Sequence, residues 1–192
     1  TQALVTNRLQ KAAKAPLLIA LDGEWGLSMR LSGTTRFPKN MMLGAITDNG
    51  LIEAYGEEVG RQCRELGIHI NFAPDLDVNS NADNPVIGLR SFGERPEVVA
   101  EKGLAYARGL ERTGIISVAK HFPGHGDTAE DSHKTLPTLY HDRARLDSVE
   151  LPPFLRYVRA GFAGMMTGHL YVKALDKSRT PSSFSRSVVT DL

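Results

Sequence analysis

One cysteine, Cys63, stands among 192 residues, so no intrachain disulfide framework holds the chain together. An excess of charge of one sign is missing too. The 23 Lys and Arg face 22 Asp and Glu, a formal net charge of +1 that lends no support to binding nucleic acid or a membrane surface. No apolar run approaches the roughly 20 residues of a membrane span. Thr1-Gln2-Ala3-Leu4 lacks the basic start and apolar stretch of a signal peptide and carries no Met, which leads to the expectation that the natural N-terminus has been removed. Solenoid repeats, low-complexity segments and the nucleotide-binding strings G-x-G-x-x-G and P-loop are absent as well. What is present is a composition that is 41% hydrophobic, enough to bury a sizeable core in one domain over residues 1–192.

Apolar periodicity organises that composition. Leu4, Val5, Leu9, Ala12 and Ala13 have helical spacing, and Pro16 ends the helix. Leu17–Leu21, Ile68–Ala73, Ile115–Ala119 and Ala163–Thr167 each read as a short buried strand. Between them, helices are predicted over 46–66, from Arg95-Pro96-Glu97 to Arg112, and over 146–159, where Pro152-Pro153 either opens or kinks the helix. Gly67, Gly114 and Gly161 follow as helix stops. Residues 37–44, 74–93 and 175–187 read as irregular, and Val188–Leu192 as the opening of another helix.

Strands alternating with helices, with no hairpin signal between them, imply parallel pairing in an α/β fold. Asp22, Lys120-His121 and His169 stand at the C-terminal ends of three strands, with Asp75 and Asp77 shortly after another. That placement favours part of a (β/α)8 TIM-type barrel, whose sites are built from strand ends around one mouth, over a doubly wound sheet. A complete barrel takes about 250 residues. Four strands make half of one, with two open edges. The chain is therefore expected to be incomplete at both ends.

The densest chemistry lies in SVAKHFPGHGDTAEDSHKTLP, Ser117 to Pro137. Lys120, His121, His125, Asp127, Asp131 and His133 hang off one strand end, on a Pro- and Gly-rich loop of the kind that carries catalytic groups. A histidine titrates near pH 6.5, so it can donate and then accept a proton near neutrality without a large perturbation. Asp131, two residues before His133, can take the imidazole N–H and set its tautomer.

KHFPGHG followed by DSH and a later Pro resembles the signature of bacterial β-N-acetylglucosaminidases of glycoside hydrolase family 3. The likeness runs over nearly the whole chain. It implies that LDGEWGLSMR supplies a sugar-holding Asp22 and a pocket-lining Arg30, and that IGLRSFGERPEVV supplies a second sugar-contacting Arg90. It further implies that Lys120 and His121 hydrogen-bond the sugar, and that the loop with Asp131 and His133 carries the acid/base. Gly23 and Trp25 replace a Gln and a Gly of the common family string, so the turn there and the subsite beyond the first sugar are expected to differ. The family's nucleophile is an Asp at the end of a later strand. Asp191 has no apolar strand before it, so the nucleophile is placed beyond Leu192 and this chain alone is expected to be inactive. The resemblance implies a retaining glycosidase that removes terminal β-linked N-acetylglucosamine. No metal or organic cofactor, no nucleic acid and no membrane span is expected, only a carbohydrate substrate such as a GlcNAc-terminated glycan or muropeptide. Compartment, cytoplasm or periplasm, and oligomeric state stay open.

Competing readings are a β-glucosidase or β-xylosidase of the same fold, a non-catalytic sugar-binding protein, and metal-dependent hydrolysis through His121, His125 and His133. The last is disfavoured because Pro123 and Gly124 break the helix that metal-site spacing would need. Phosphorolysis is a variant of the leading reading, since a neutral imidazole would not repel phosphate. His125 reads as structural, His169 as a possible ligand contact and Trp25 as either a sugar platform or packing; the Asp- and Asn-rich loop 75–84 lacks the Gly and Glu of an EF-hand and reads as turn-forming.

Overall fold

The computed structural model describes residues 2–131, 134–162 and 164–192. Helix α1 (Gln2–Ala12) precedes strand β1 (Ala20–Leu21). A short α2 (Asn40–Gly44) and the long α3 (Asn49–Glu65) lead to β2 (Ile70–Asn71), and α4 (Pro96–Arg112) leads to β3 (Ile116–Phe122). After β3 come β4 (Thr138–Leu139), α5 (Arg143–Arg145), a π-helical turn at Leu146–Glu150, and α6 (Pro152–Arg159). The chain continues through β5 (Gly164–Thr167), β6 (Tyr171–Val172) and α7 (Arg186–Val189).

Four strands form one parallel sheet in the order β1-β2-β3-β5, with β1 and β5 at its edges. A small second sheet, β4 beside β6, lies beyond the carboxyl ends and was not anticipated from sequence. Its two-residue strands are too short to carry a periodicity.

Residues of β3 alternate in their surroundings, as a pleated strand requires. On one side the Ser117 hydroxyl meets the Tyr157 hydroxyl of α6 at 2.6 Å and donates to Glu111 of α4 at 2.7 Å. Ile116, Val118 and Lys120 take the other side, toward the inside of the curved sheet. The helical side is the core: α3 and α4 pack through Ile52, Val59, Tyr106 and Leu110, all fully buried. They come close because a Cβ at Gly56 would overlap the Tyr106 carbonyl, and one at Gly109 the Glu53 carbonyl.

Several sequence-based boundaries move. Leu17 and Leu18 stay outside the sheet: the Leu17 backbone bonds the Gln10 side-chain amide instead, Leu18 is 70% exposed, and β1 pairs only through Ala20–Leu21. The helix predicted from residue 46 starts at Asn49, where the Asp48 carboxylate accepts the Gly50 N–H at 2.8 Å as an N-cap. Residues 40–44, read as irregular, are helical; Gly44 lets this turn press on the Phe92 carbonyl. Pro152 opens α6 rather than kinking a longer helix. Gly67, Gly114 and Gly161 do stop their helices with φ of +70°, +81° and +91°.

Candidate active site

The carboxyl ends of β1, β2, β3 and β5 surround a cavity of about 560 Å³. Asp22, Arg30, Arg90, Lys120, His121 and His169 all line it, so five residues singled out from the resemblance converge in space. β1 delivers Asp22 one residue past its end, and the segment after β2 delivers Asp75, Asp77 and Arg90. The strand β3 was expected to stop before Lys120. It continues to Phe122, with its register to β5 shifted between Ala119 and Phe122 and a cis Lys120–His121 peptide.

Charges alternate along the floor. The Arg30 guanidinium donates to Asp22 Oδ2 at 3.0 Å, and the Lys120 ammonium lies 2.9 Å from Asp22 Oδ1 and 2.8 Å from Glu24 Oε1. Glu24 in turn receives a bidentate pair from Arg90, Nη2 to Oε1 at 2.7 Å and Nε to Oε2 at 3.0 Å. Arg90 Nη2 also stands 3.3 Å from His121 Nε2. A guanidinium can only donate, so Nε2 is the acceptor and the imidazole proton sits on Nδ1, which points at Asp77 Oδ2 from 2.6 Å. Asp77 further accepts the His125 backbone N–H at 2.6 Å.

Glu24 and Asp77, both fully buried, carry much of this network and were missed as site residues. Glu24 lies two residues past Asp22, where only tertiary structure reveals two cations facing it. Asp77 was read as turn-forming, and instead it holds His121 and the root of the following loop.

Burial by itself pushes each of these carboxyls up. For Asp22 the Lys120 and Arg30 charges outweigh burial, and for Glu24 the Arg90 and Lys120 charges do, so both stay below the ordinary range. Asp77 is likewise held low, by His121 and the His125 N–H. Asp75 goes the other way: complete burial, then the neighbouring Asp77 and Glu24, push it well up despite Arg90 at 3.8 Å. Its Oδ2 has no hydrogen-bond partner among the described residues, and we take Asp75 as the neutral acid of the group.

His125 is buried, and burial lowers its tendency to protonate. Its Nδ1 meets the Thr128 hydroxyl at 2.7 Å, and the residue also lines the cavity. His169 reaches the cavity wall and bonds Ser183 through Nδ1 at 2.8 Å. Trp25 does not line the cavity; the Lys39 ammonium sits 5.3 Å from its ring centroid. Asp191 follows α7, pairs with Arg186 at 3.4 Å and lies outside the cavity. Asp131 is on the loop beyond Thr128, and His133 lies outside the described residues.

Ligand atoms of Asp75, Asp77 and His121 lie within 4.8 Å of one another, a set able to collect a metal ion. Arg90 beside Asp75 and His121 already supplies the positive charge there, and Asp77 is committed to three N–H groups, so the trio is built as a compensated network. Against the metal reading through His121, His125 and His133, Nε2 of His121 faces the Arg90 guanidinium at 3.3 Å, a cation that would repel a metal ion there.

The model of the glycosyl hydrolase family 3 N-terminal domain matches residues 1–192. The chain belongs to that family. A β-hexosaminidase A of Pseudoalteromonas piscicida is 43% identical over 196 residues, covering 96% of this chain and 33% of the relative. A family 3 β-N-acetylglucosaminidase structure from Paenibacillus sp. str. FPU-7 superposes with a TM-score of 0.94 at 44% identity, over 98% of this chain and 37% of that one. NagZ from Neisseria gonorrhoeae, solved in complex with N-trifluoroacetyl-D-glucosamine, gives a TM-score of 0.90 at 32% identity, over all of this chain and 58% of its own. The chain thus spans between about a third and three fifths of these proteins' lengths. Its open four-stranded parallel sheet is a section of the TIM-type barrel expected from sequence.

Proposed function

We propose that the protein containing this chain is a retaining glycosidase that removes terminal β-linked N-acetylglucosamine, with His133 as acid/base, Asp131 as its orienting partner and a nucleophilic Asp after Leu192. The observation that carries the reading is the convergence of Asp22, Arg30, Arg90, Lys120 and His121 on one cavity. Sugar hydroxyls both donate and accept, and this wall presents fixed carboxylate acceptors beside fixed cationic donors, held by ion pairs. The hexosaminidase names of the relatives and the glucosamine derivative in the NagZ complex support the substrate class.

In the first step the carboxylate nucleophile forms a bond to the anomeric carbon while the glycosidic C–O bond breaks, and the leaving oxygen takes the proton of the His133 imidazolium. In the second, the neutral imidazole removes a proton from water, whose oxygen displaces the carboxylate. Asp131 stabilises the imidazolium that is present before the first step and re-formed by the second. Asp22, Lys120, His121, Arg30 and Arg90 bind the sugar and hold it in line.

The test is turnover by the full-length protein of paired aryl β-GlcNAc and aryl β-glucoside substrates, and of His133→Ala on glycosides with good and poor leaving groups. Hydrolysis of the GlcNAc substrate, with His133→Ala losing about 10²–10⁴-fold on poor leaving groups and far less on good ones, is expected. Preference for the glucoside would overturn the substrate. Equal losses on both leaving groups would overturn the acid role.

A further inference from the structure

Residues 182–185 reverse the usual placement of polar and apolar side chains. Ser182 and Ser185 are buried, at 1% and 2% exposure, while Phe184 between them is 77% exposed. The two serines fix the backbone that carries the ring. The Ser182 hydroxyl donates to the Gly168 carbonyl at 2.7 Å and accepts the Leu170 N–H at 3.3 Å, and the Ser182 N–H donates to the Leu170 carbonyl at 2.7 Å. The Ser185 hydroxyl donates to the Asp176 carboxylate, which closes the segment on itself. Phe184 is thus held out in solvent on a tethered 3-10 turn, Ser182–Phe184. Its ring meets the His169 imidazole edge-to-face, with centroids 5.9 Å apart and planes at 89°. His169 lines the cavity and is itself fixed by Ser183, so Phe184 stands one side chain beyond the cavity wall, past the carboxyl end of β5.

We propose that Phe184, braced by His169, is the platform for the leaving-group side of the substrate, and that it takes the apolar face of a second pyranose ring. The platform rests on the reading that the protein releases a terminal sugar. With that terminal sugar in the cavity, the remainder of the substrate lies at the mouth, where Phe184 stands. A pyranose presents one face of C–H groups, and an aromatic ring covers such a face by excluding water, with no hydrogen bond needed from the phenyl group. The serine tethers and the perpendicular imidazole fix the ring before the sugar arrives, so little ordering entropy is lost on binding.

The experiment uses the full-length protein and two substrates, the β-1,4-linked GlcNAc disaccharide and methyl β-GlcNAc, whose leaving group has no ring to stack. Phe184→Ala is expected to raise KM for the disaccharide about tenfold and to leave methyl β-GlcNAc within about twofold. Phe184→Leu, which keeps apolar volume without an aromatic face, should give the same split even if the Ala variant fails to fold. Phe184→Trp should hold the disaccharide KM within about threefold of wild type, because an aromatic face remains. An unchanged disaccharide KM, equal changes on both substrates, or full rescue by Leu would each overturn the platform. Failure of the wild-type protein on both substrates would overturn the glycosidase reading itself; turnover of both without a split in the Phe184 variants would overturn the platform alone.

Discussion

At the scale of single residues, the site is a problem of charge placed out of water. Glu24 is fully buried and faces two cations, Lys120 and Arg90, of which Lys120 is itself only 2% exposed. Glu24→Ala would strip Arg90 of its bidentate partner and leave Lys120 with Asp22 alone, and we expect a loss of about 3–5 kcal/mol in denaturant unfolding together with weaker substrate binding. An effect below 1 kcal/mol would mean that solvent already shields the pair. Asp75 makes a prediction of opposite sign. Its folded form holds a proton that the unfolded chain gives up above the ordinary carboxyl value of 3.8, so wild-type stability falls as pH rises from there toward the folded value. Asp75→Asn removes that dependence, so the variant should gain on wild type between pH 4 and 7, by about 1.4 kcal/mol for each pH unit in which only the folded form stays protonated. A stability difference that stays flat or shrinks over that range would show an ionised Asp75. Asp22, Glu24 and Asp77 act the other way, being held low: their stabilisation is present above ordinary carboxyl values and is lost as pH falls through the lower folded ones.

At the scale of elements, close approach decides most of the packing. The α3–α4 pair depends on backbone contact at Gly56 and Gly109, so Gly109→Ala should destabilise by about 1–3 kcal/mol, read as a drop in unfolding midpoint, although alanine is the better helix former. A stabilised variant would mean that the helices can part at little cost. The elements also show where sequence pattern stops being informative. The runs at 68–73 and 115–119 gave two strands correctly, but β3 extends through Lys120 and His121, because Lys120 bridges to Asp75 in the segment after β2 and Phe122 pairs with Thr167 of β5. Helix α1 has its predicted spacing, yet Leu4 is 63% and Leu9 50% exposed, since no described element covers that face.

At the scale of the whole molecule, the sheet is open. β5 is an edge, and beside it Phe122, Phe154, Leu155, Val158 and Met165 line an apolar groove of about 480 Å³. An open edge next to an apolar groove invites pairing with another chain. The 192-residue chain studied alone should therefore self-associate in size-exclusion chromatography and show no turnover of aryl β-GlcNAc; a stable, active monomer would contradict both the open-edge reading and the placement of the nucleophile.

The sequence by itself determined the alternation of helix and strand and the helix stops at Gly67, Gly114 and Gly161; the set Asp22, Arg30, Arg90, Lys120 and His121 came from the family resemblance, and these five residues line one cavity. The first two are local facts of apolar period and turn chemistry. Only the tertiary structure decided that Glu24 and Asp77 hold the site together, that burial and two neighbouring carboxylates push Asp75 up, and that Asp127 meets His141. Each of those depends on which charges from distant segments face a buried group, and Coulomb attraction and desolvation act through space, where sequence separation has no bearing on them.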